Sequence, residues 1–173
     1  MSPEKDAAMA LRALVMLAIV VPGATGALAQ EERVPPPPGA RMLLEAAAQG
    51  VQIYTCQKGS DGSRWVFTAP DAALFDAAGR QIGTHFAGPT WQMDDGSKII
   101  GEVVSQAPAP EPHAIAWLLL RVTSHAGSGV LGDAALVRRV DTQGGAAPTT
   151  PCAGTQEARM RYAARYLFYA IRQ

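Results

Sequence analysis

The segment IGTHFAGPTWQM, residues 82–93, places side chains that could do chemistry beside a break in the chain. His85 ends an apolar, strand-like stretch, and a Gly-Pro pair that begins at Gly88 separates it from Thr90 and Trp91. An imidazole held at a rigid corner can act as a general base or contact a ligand, whereas a structural histidine would bond a nearby carbonyl. Glycine lets the backbone come close to a ligand or a neighbouring strand. We therefore predict a pocket near residues 84–92, with His85, Gly88, Thr90 and Trp91 as its ligand-binding residues.

A catalytic role for His85 would need a second group, and a carboxylate is the available type. Asp94 and Asp95 are adjacent and are typical of a turn, whereas Glu45 and Glu102 are lone acids near strand interiors. His85 with Glu102 could serve a metal-independent hydrolase or lyase, and without such a partner the domain would be a small-ligand or envelope-associated binding module. A carboxylate within hydrogen-bond reach of His85 at a cavity would favour the enzyme. A His85 buried against backbone would favour the binding module.

The sequence offers little for a metal or a cofactor, and we predict neither. The three histidines and two cysteines lack the short spacings of a zinc site. The stretch GSGVLG, residues 127–132, formally matches G-x-G-x-x-G. A dinucleotide site would need a helix directly after it and an acid about 20 residues further on, and both are missing. We predict a glycine-rich turn between strands instead.

The chain start has the pattern of a secretory signal peptide. Residues 1–29 contain a basic Arg12, a short apolar run, a Pro-Gly break and a small-x-small end at Ala29. The apolar run is shorter than the roughly 20 residues that cross a bilayer. We predict cleavage after Ala29, a secreted or periplasmic location, and no integral membrane anchor in the mature chain. In an oxidising compartment an even cysteine count predicts a disulfide, here between Cys56 and Cys152.

The remaining chain divides into a short arm and one domain. Four consecutive prolines in residues 30–40 favour an extended polyproline II arm, which we interpret as a stiff spacer. Within residues 41–173, apolar runs of strand length alternate with Gly and Pro turn signals about every dozen residues. This spacing predicts a mainly β, single-domain antiparallel sandwich or barrel-like sheet with long Pro- and Gly-rich loops. The last run, RMRYAARYLFYAI, fits helix or strand, and its alternating aromatics favour strand.

Several of these stretches together resemble a known family. They are GVQIYTCQ, IGTHFAGPTWQ with the following DGS, AIAWLLLRV and RRVDTQGGAAP. In order and spacing they resemble the domain of unknown function 3455 family, which comprises secreted bacterial and fungal proteins. The resemblance implies a mostly β domain and an extracytoplasmic location, and it implies no reaction. A malate dehydrogenase label on some fungal relatives finds no support in the glycine-rich stretch.

Composition limits the classes of partner. Basic and acidic residues are equal in number, and the predicted signal peptide removes two of each, so the mature chain stays neutral. Nucleic-acid binding needs a basic face, and we predict no such partner. Tryptophans beside the pocket could stack on a flat ring, which favours a small molecule or a saccharide. The sequence leaves the oligomeric state open.

Overall fold

The computed structural model describes residues 33–171, and within this range it contains eight strands and no helix. The strands are β1 (Ala40–Gly59), β2 (Gly62–Phe75), β3 (Gln81–Phe86), β4 (Thr90–Met93), β5 (Lys98–Ala107), β6 (Trp117–Ala126), β7 (Leu136–Gly144) and β8 (Glu157–Ile171). The predicted signal peptide lies outside the described residues. No helix in residues 33–171 is long and apolar enough to cross a membrane.

Each strand pairs antiparallel with its neighbour in the sequence, and β8 pairs with β1, so that the sheet closes into a ring. The ring is barrel-like without being a regular barrel. The predicted mainly β fold is confirmed, and the ambiguous last segment is the strand β8. Gly50 separates the apolar runs RMLLEAAA and VQIYTCQ, a pattern compatible with a hairpin or a bent strand, and it lies inside the single long strand β1. Backbone hydrogen bonds to β1 and β7 on its two sides hold β8 as a strand.

The main core fills the inside of the ring. In β8 the side chains of Tyr162, Ala164, Tyr166 and Phe168 belong to this core, as the period-2 geometry of a strand requires. Trp91 from β4 packs among them. Because aromatic residues bury large apolar areas, these few side chains supply much of the stabilisation from burial.

A second cluster lies on the opposite face of β6, β7 and β8. It includes Trp117, Leu136 and Leu167, and the N-terminal arm covers it with the buried side chain of Val34. Arg138 fixes the arm, since its Nε donates to the Val34 carbonyl at 2.7 Å. The described part of the arm, from residue 33 on, therefore packs on the outer wall of the ring.

The disulfide prediction is confirmed: Cys56 and Cys152 are bonded, with a Cα–Cα distance of 5.7 Å. The bond ties β1 to the long connection between β7 and β8. Further hydrogen bonds hold that connection, among them those from the Tyr54 hydroxyl to the Gly145 carbonyl (2.7 Å) and from Trp65 Nε1 to the Thr150 carbonyl (2.9 Å).

The glycine-rich stretch 127–132 is a turn between β6 and β7, as predicted, and no helix follows it in the described chain. Asp95, from the turn between β4 and β5, holds this segment in place. Its carboxylate accepts hydrogen bonds from Ser97 and from the Val130 amide, and these bonds lower the pKa of Asp95. The Asp94-Asp95 pair is thus part of a turn.

Candidate functional site

The hairpin of β3 and β4 positions the predicted site residues. The register places His85 directly opposite Trp91, and Phe86 opposite Thr90. Gly88 completes the turn with φ +96°, a value that favours glycine. The Thr90 hydroxyl donates to the Ala87 carbonyl at 2.8 Å and closes the turn. The Gly-Pro break therefore brings the two rings together.

His85 is almost fully buried, at 2% exposed, between two aromatic rings. It stacks on Trp91 with ring centroids 4.6 Å apart and an interplanar angle of 11°, and Tyr166 approaches edge-on at 5.0 Å. Nδ1 lies 2.8 Å from the Thr90 carbonyl oxygen. A carbonyl can only accept, so Nδ1 carries the proton and Nε2 of the neutral ring is an acceptor.

The charge state of His85 follows from its burial. Burial lowers the pKa of the imidazole from 6.5 to about 4, and the Thr90 carbonyl offsets part of that effect. The positive charge of Arg139 lowers the pKa further. At neutral pH the ring is therefore uncharged and presents one acceptor nitrogen that makes no hydrogen bond with residues 33–171.

A cavity of about 500 Å³ opens beside this pair of rings. Its lining comes from β1 to β8 and from the segments before β6 and after β7. The lining residues are Gln52, Tyr54, Phe67, Thr68, Pro70, His85, Gly88, Pro89, Trp91, Val103, Gln106, Ile115, Ala116, Leu118, Leu120, Arg139, Ala146 and Tyr166. Most are apolar, and the volume is in the range of small-molecule sites, roughly 300–1,000 Å³.

Arg139 brings a charge to the wall of this cavity. It is half-buried, and its Nε and Nη2 donate to the Ala116 carbonyl at 3.1 and 2.9 Å. It lies opposite Tyr166 of β8 and Leu118 of β6 in the sheet register. No carboxylate of residues 33–171 forms an ion pair with it.

Other buried polar groups around the cavity make no hydrogen bond of ordinary length and angle in the described chain, although Gln52, Tyr162, Tyr166 and Arg139 lie near enough for their side chains to shift the pKa of the two tyrosines. These groups are the nitrogens Gln52 Nε2 and Trp91 Nε1 and the hydroxyl of Tyr166, and the hydroxyl of Tyr162 lies beyond them. Burial raises the pKa of both tyrosines, so both phenols are protonated at neutral pH. Buried polar groups normally have partners, and a ligand or ordered water is the usual explanation for such a group.

The structure brings some of the sequence-predicted residues together and not others. His85, Gly88 and Trp91 line the cavity, whereas Thr90 does not line it and holds the His85 ring through its carbonyl. Glu102 does not line the cavity, because its half-exposed carboxylate forms an ion pair with Arg121 on the neighbouring strand. The geometry therefore gives His85 a backbone partner in place of a carboxylate.

Sequence reasoning missed Gln52, Arg139 and Tyr166, which come from strands distant in the chain. One signal was available: in a half-buried strand, adjacent residues face opposite sides, so one of the pair Arg138-Arg139 had to point inwards. Residues 33–171 hold no group of three or more His, Cys, Asp or Glu side chains arranged to bind a metal ion. The arrangement is suited to enclosing an apolar molecule and contacting it at a few polar points.

The fold and this site define a class of protein: a ring-closed antiparallel β-domain of eight strands with a mainly apolar internal cavity and a disulfide. The chain belongs to the family described as Protein of unknown function (DUF3455), whose model matches residues 36–170. The family resemblance in the sequence is thereby confirmed. Neither a curated protein nor a solved structure matches the chain.

Proposed function

We propose that the protein is a secreted or periplasmic binding module that encloses one small apolar molecule in the cavity inside its ring. The observation that carries the proposal is the cavity beside His85 and Trp91, together with the buried polar groups around it that make no ordinary hydrogen bond in the described chain. An apolar wall with a few polar points is typical of small-molecule sites. The predicted signal peptide and the disulfide support the location, since disulfides persist in oxidising compartments.

The geometry favours binding over catalysis. The imidazole of His85 bonds a backbone carbonyl, and the carboxylate of Glu102 pairs with Arg121 away from the cavity. A general base would need reach to a reacting group and a pKa nearer the working pH. The apolar lining also favours an apolar ligand over a saccharide, whose many hydroxyls would need polar partners.

A titration with phenylnaphthylamine tests this proposal, because this neutral apolar dye fluoresces strongly when it leaves water. We expect saturable binding at one site in the wild-type protein. Ala146 lines the cavity and Ala147 does not. Ala146→Trp should weaken binding at least about tenfold by filling the cavity, which corresponds to about 1.4 kcal/mol, and the neighbouring Ala147→Trp should leave binding unchanged.

Two results would contradict the proposal. One is the absence of saturable dye binding to folded wild-type protein. The other is binding that both tryptophan variants weaken equally or leave unchanged, since the dye would then lie elsewhere. Circular dichroism and a thermal unfolding curve for each variant show that the folded state is being compared.

A further inference from the structure

The cavity contains one formal charge and no counter-charge. Arg139 is its lining cation, and no Asp or Glu is among its lining residues. His85 adds no charge at neutral pH, because burial lowers its pKa to about 4. The field inside the ring is therefore positive, as the effect of Arg139 on the pKa of His85 and Tyr54 also indicates.

The guanidinium of Arg139 is held in place, but its hydrogen-bond donors are not all used. Its Nε and Nη2 donate to the Ala116 carbonyl, and the side chain also interacts with the Tyr166 hydroxyl, so that part of its N–H donors stays available. An arginine has five N–H donors in a rigid plane, and a carboxylate matches two of them at once. The Ala116 contact fixes the plane and so reduces the entropy lost when a ligand binds.

The buried polar groups that make no ordinary hydrogen bond in the described chain are mostly donors as well. Trp91 Nε1 can only donate, and the Tyr166 hydroxyl and the Gln52 amide can each donate. Nε2 of His85 is an acceptor on the same wall. A ligand that supplies acceptor oxygens would satisfy this excess of donors, whereas a cationic ligand would face a positive field.

Away from Arg139 most of the wall is apolar, with the Thr68 hydroxyl and the Gln52 and Gln106 amides among its uncharged polar groups. The apolar part is formed by the side chains of Phe67, Pro70, Val103, Ile115, Leu118 and Leu120. Such a surface favours a hydrocarbon or aromatic body and gives no second site for charge.

We propose that the ligand is an apolar molecule carrying a single carboxylate, and that Arg139 binds the carboxylate. This inference rests on the proposed binding function and names the chemical class of its ligand. Charge-assisted bonds between arginine and carboxylate are the stronger kind of hydrogen bond, and burial strengthens them further. The ligand would neutralise the charge of Arg139 and leave the remaining wall in apolar contact.

A matched pair of competitors tests the charge directly. Naphthalene carboxylate and naphthalene carboxamide have the same rings and nearly the same shape, and they differ in charge. We expect the carboxylate to displace phenylnaphthylamine from wild-type protein at a concentration at least about tenfold lower than the carboxamide, as a charge-assisted bond predicts. Added salt should weaken displacement by the carboxylate modestly, because Arg139 is only partly buried, and should leave that by the carboxamide unchanged.

Variants assign the effect to Arg139. Arg139→Met should make the two competitors equal to within about threefold, because a neutral side chain has no preference for charge. Arg139→Lys should keep a preference for the carboxylate. Arg161 lies exposed on β8 and does not line this cavity, so Arg161→Met should behave as the wild type.

The outcomes separate this inference from the proposed function. If the dye binds in the cavity and both competitors displace it equally from wild-type protein, the carboxylate inference is overturned and the binding function stands. If the dye does not bind at all, the binding function itself fails. Arg139→Met removes both donors of the Ala116 carbonyl, so it can fail to fold. In that event the wild-type comparison and its salt dependence decide the question together with Arg139→Lys.

Discussion

The imidazole of His85 couples protein stability to pH. Burial lowers its pKa in the folded protein to about 4, and its ordinary value is 6.5. Between these values the unfolded chain takes up a proton that the folded chain does not. As far as His85 is concerned, the free energy of unfolding is therefore highest above about pH 6.5. It falls as the pH drops towards about 4, by up to about 3 kcal/mol.

We predict that His85→Phe removes this pH dependence. Phenylalanine can still stack on Trp91 but does not titrate, so its free energy of unfolding should vary less between pH 6.5 and 4.5 than that of the wild type, by about 2 kcal/mol. Urea unfolding at a series of pH values measures the difference. His113→Asn, at an exposed position, should keep the wild-type profile. Equal profiles for His85→Phe and wild type would show that His85 is not the titrating group.

At the residue scale, the sequence could predict the local half of the site. His85 and Trp91 are six positions apart, and a Gly-Pro turn between short strands is enough to pair them. Arg139 and Tyr166 reach the same cavity through the closure of the ring, which depends on pairings between distant strands. No local pattern encodes such pairings, because strand register is set by the whole hydrophobic surface and by the turns.

At the element scale, Gly50 lets β1 approach its neighbour closely. In the register it lies opposite Ala72 on β2 and Tyr162 on β8, and Ala72 in turn lies opposite His85. A Cβ at Gly50 would lie 2.5 Å from the Ala72 Cα and would also meet the Asp71 carbonyl. Two small residues thus lie between two large ones in this row, and they leave room for the rings of His85 and Tyr162.

We predict that Gly50→Ala lowers the free energy of unfolding by about 1–3 kcal/mol, because the added methyl group meets backbone atoms that can move only with the strand. Chemical denaturation measures this change. Gln49→Ala changes the exposed neighbour in the same strand and should alter the free energy by less than about 0.5 kcal/mol. A Gly50→Ala protein as stable as Gln49→Ala would mean that β1 and β2 are less closely paired at this point.

The strands show which elements could be predicted from sequence patterns alone and which could not. Alternating aromatics identified β8 although its Ala, Arg and Met residues also suit a helix, since pairing on both sides outweighs intrinsic propensity. Gly50 was compatible with a hairpin or a bent strand, because glycine between apolar runs occurs both in turns and at bends within strands. Deciding between them required the position of Ala72, which is distant in the sequence.

At the scale of the whole molecule, the disulfide between Cys56 and Cys152 joins residues 96 positions apart. Loop-closure entropy for such a span amounts to about 4–5 kcal/mol, and native disulfides in small secreted domains typically contribute about 2–5 kcal/mol. The bonded pair also ties down the connection after β7, in which Ala146 lines the cavity.

We predict that replacing both cysteines by serine lowers the free energy of unfolding by about 2–5 kcal/mol, chiefly by freeing the unfolded chain. Urea unfolding with and without a reductant measures this. The reductant should destabilise the wild type by a similar amount and leave the double variant unchanged. A wild-type protein whose stability does not respond to complete reduction would contradict the prediction.

The pairing of β1 with β8 has a consequence for when the protein can fold. The two strands stand at opposite ends of the described chain and yet form one continuous ladder. During synthesis the ring cannot close until β8 has emerged from the ribosome. Until then the growing chain cannot form the complete sheet. A pairing between distant strands slows folding, because a long stretch of chain must be ordered before the pairing can form. If the chain is exported, as its first residues predict, this delay would keep the chain unfolded until it has crossed the membrane.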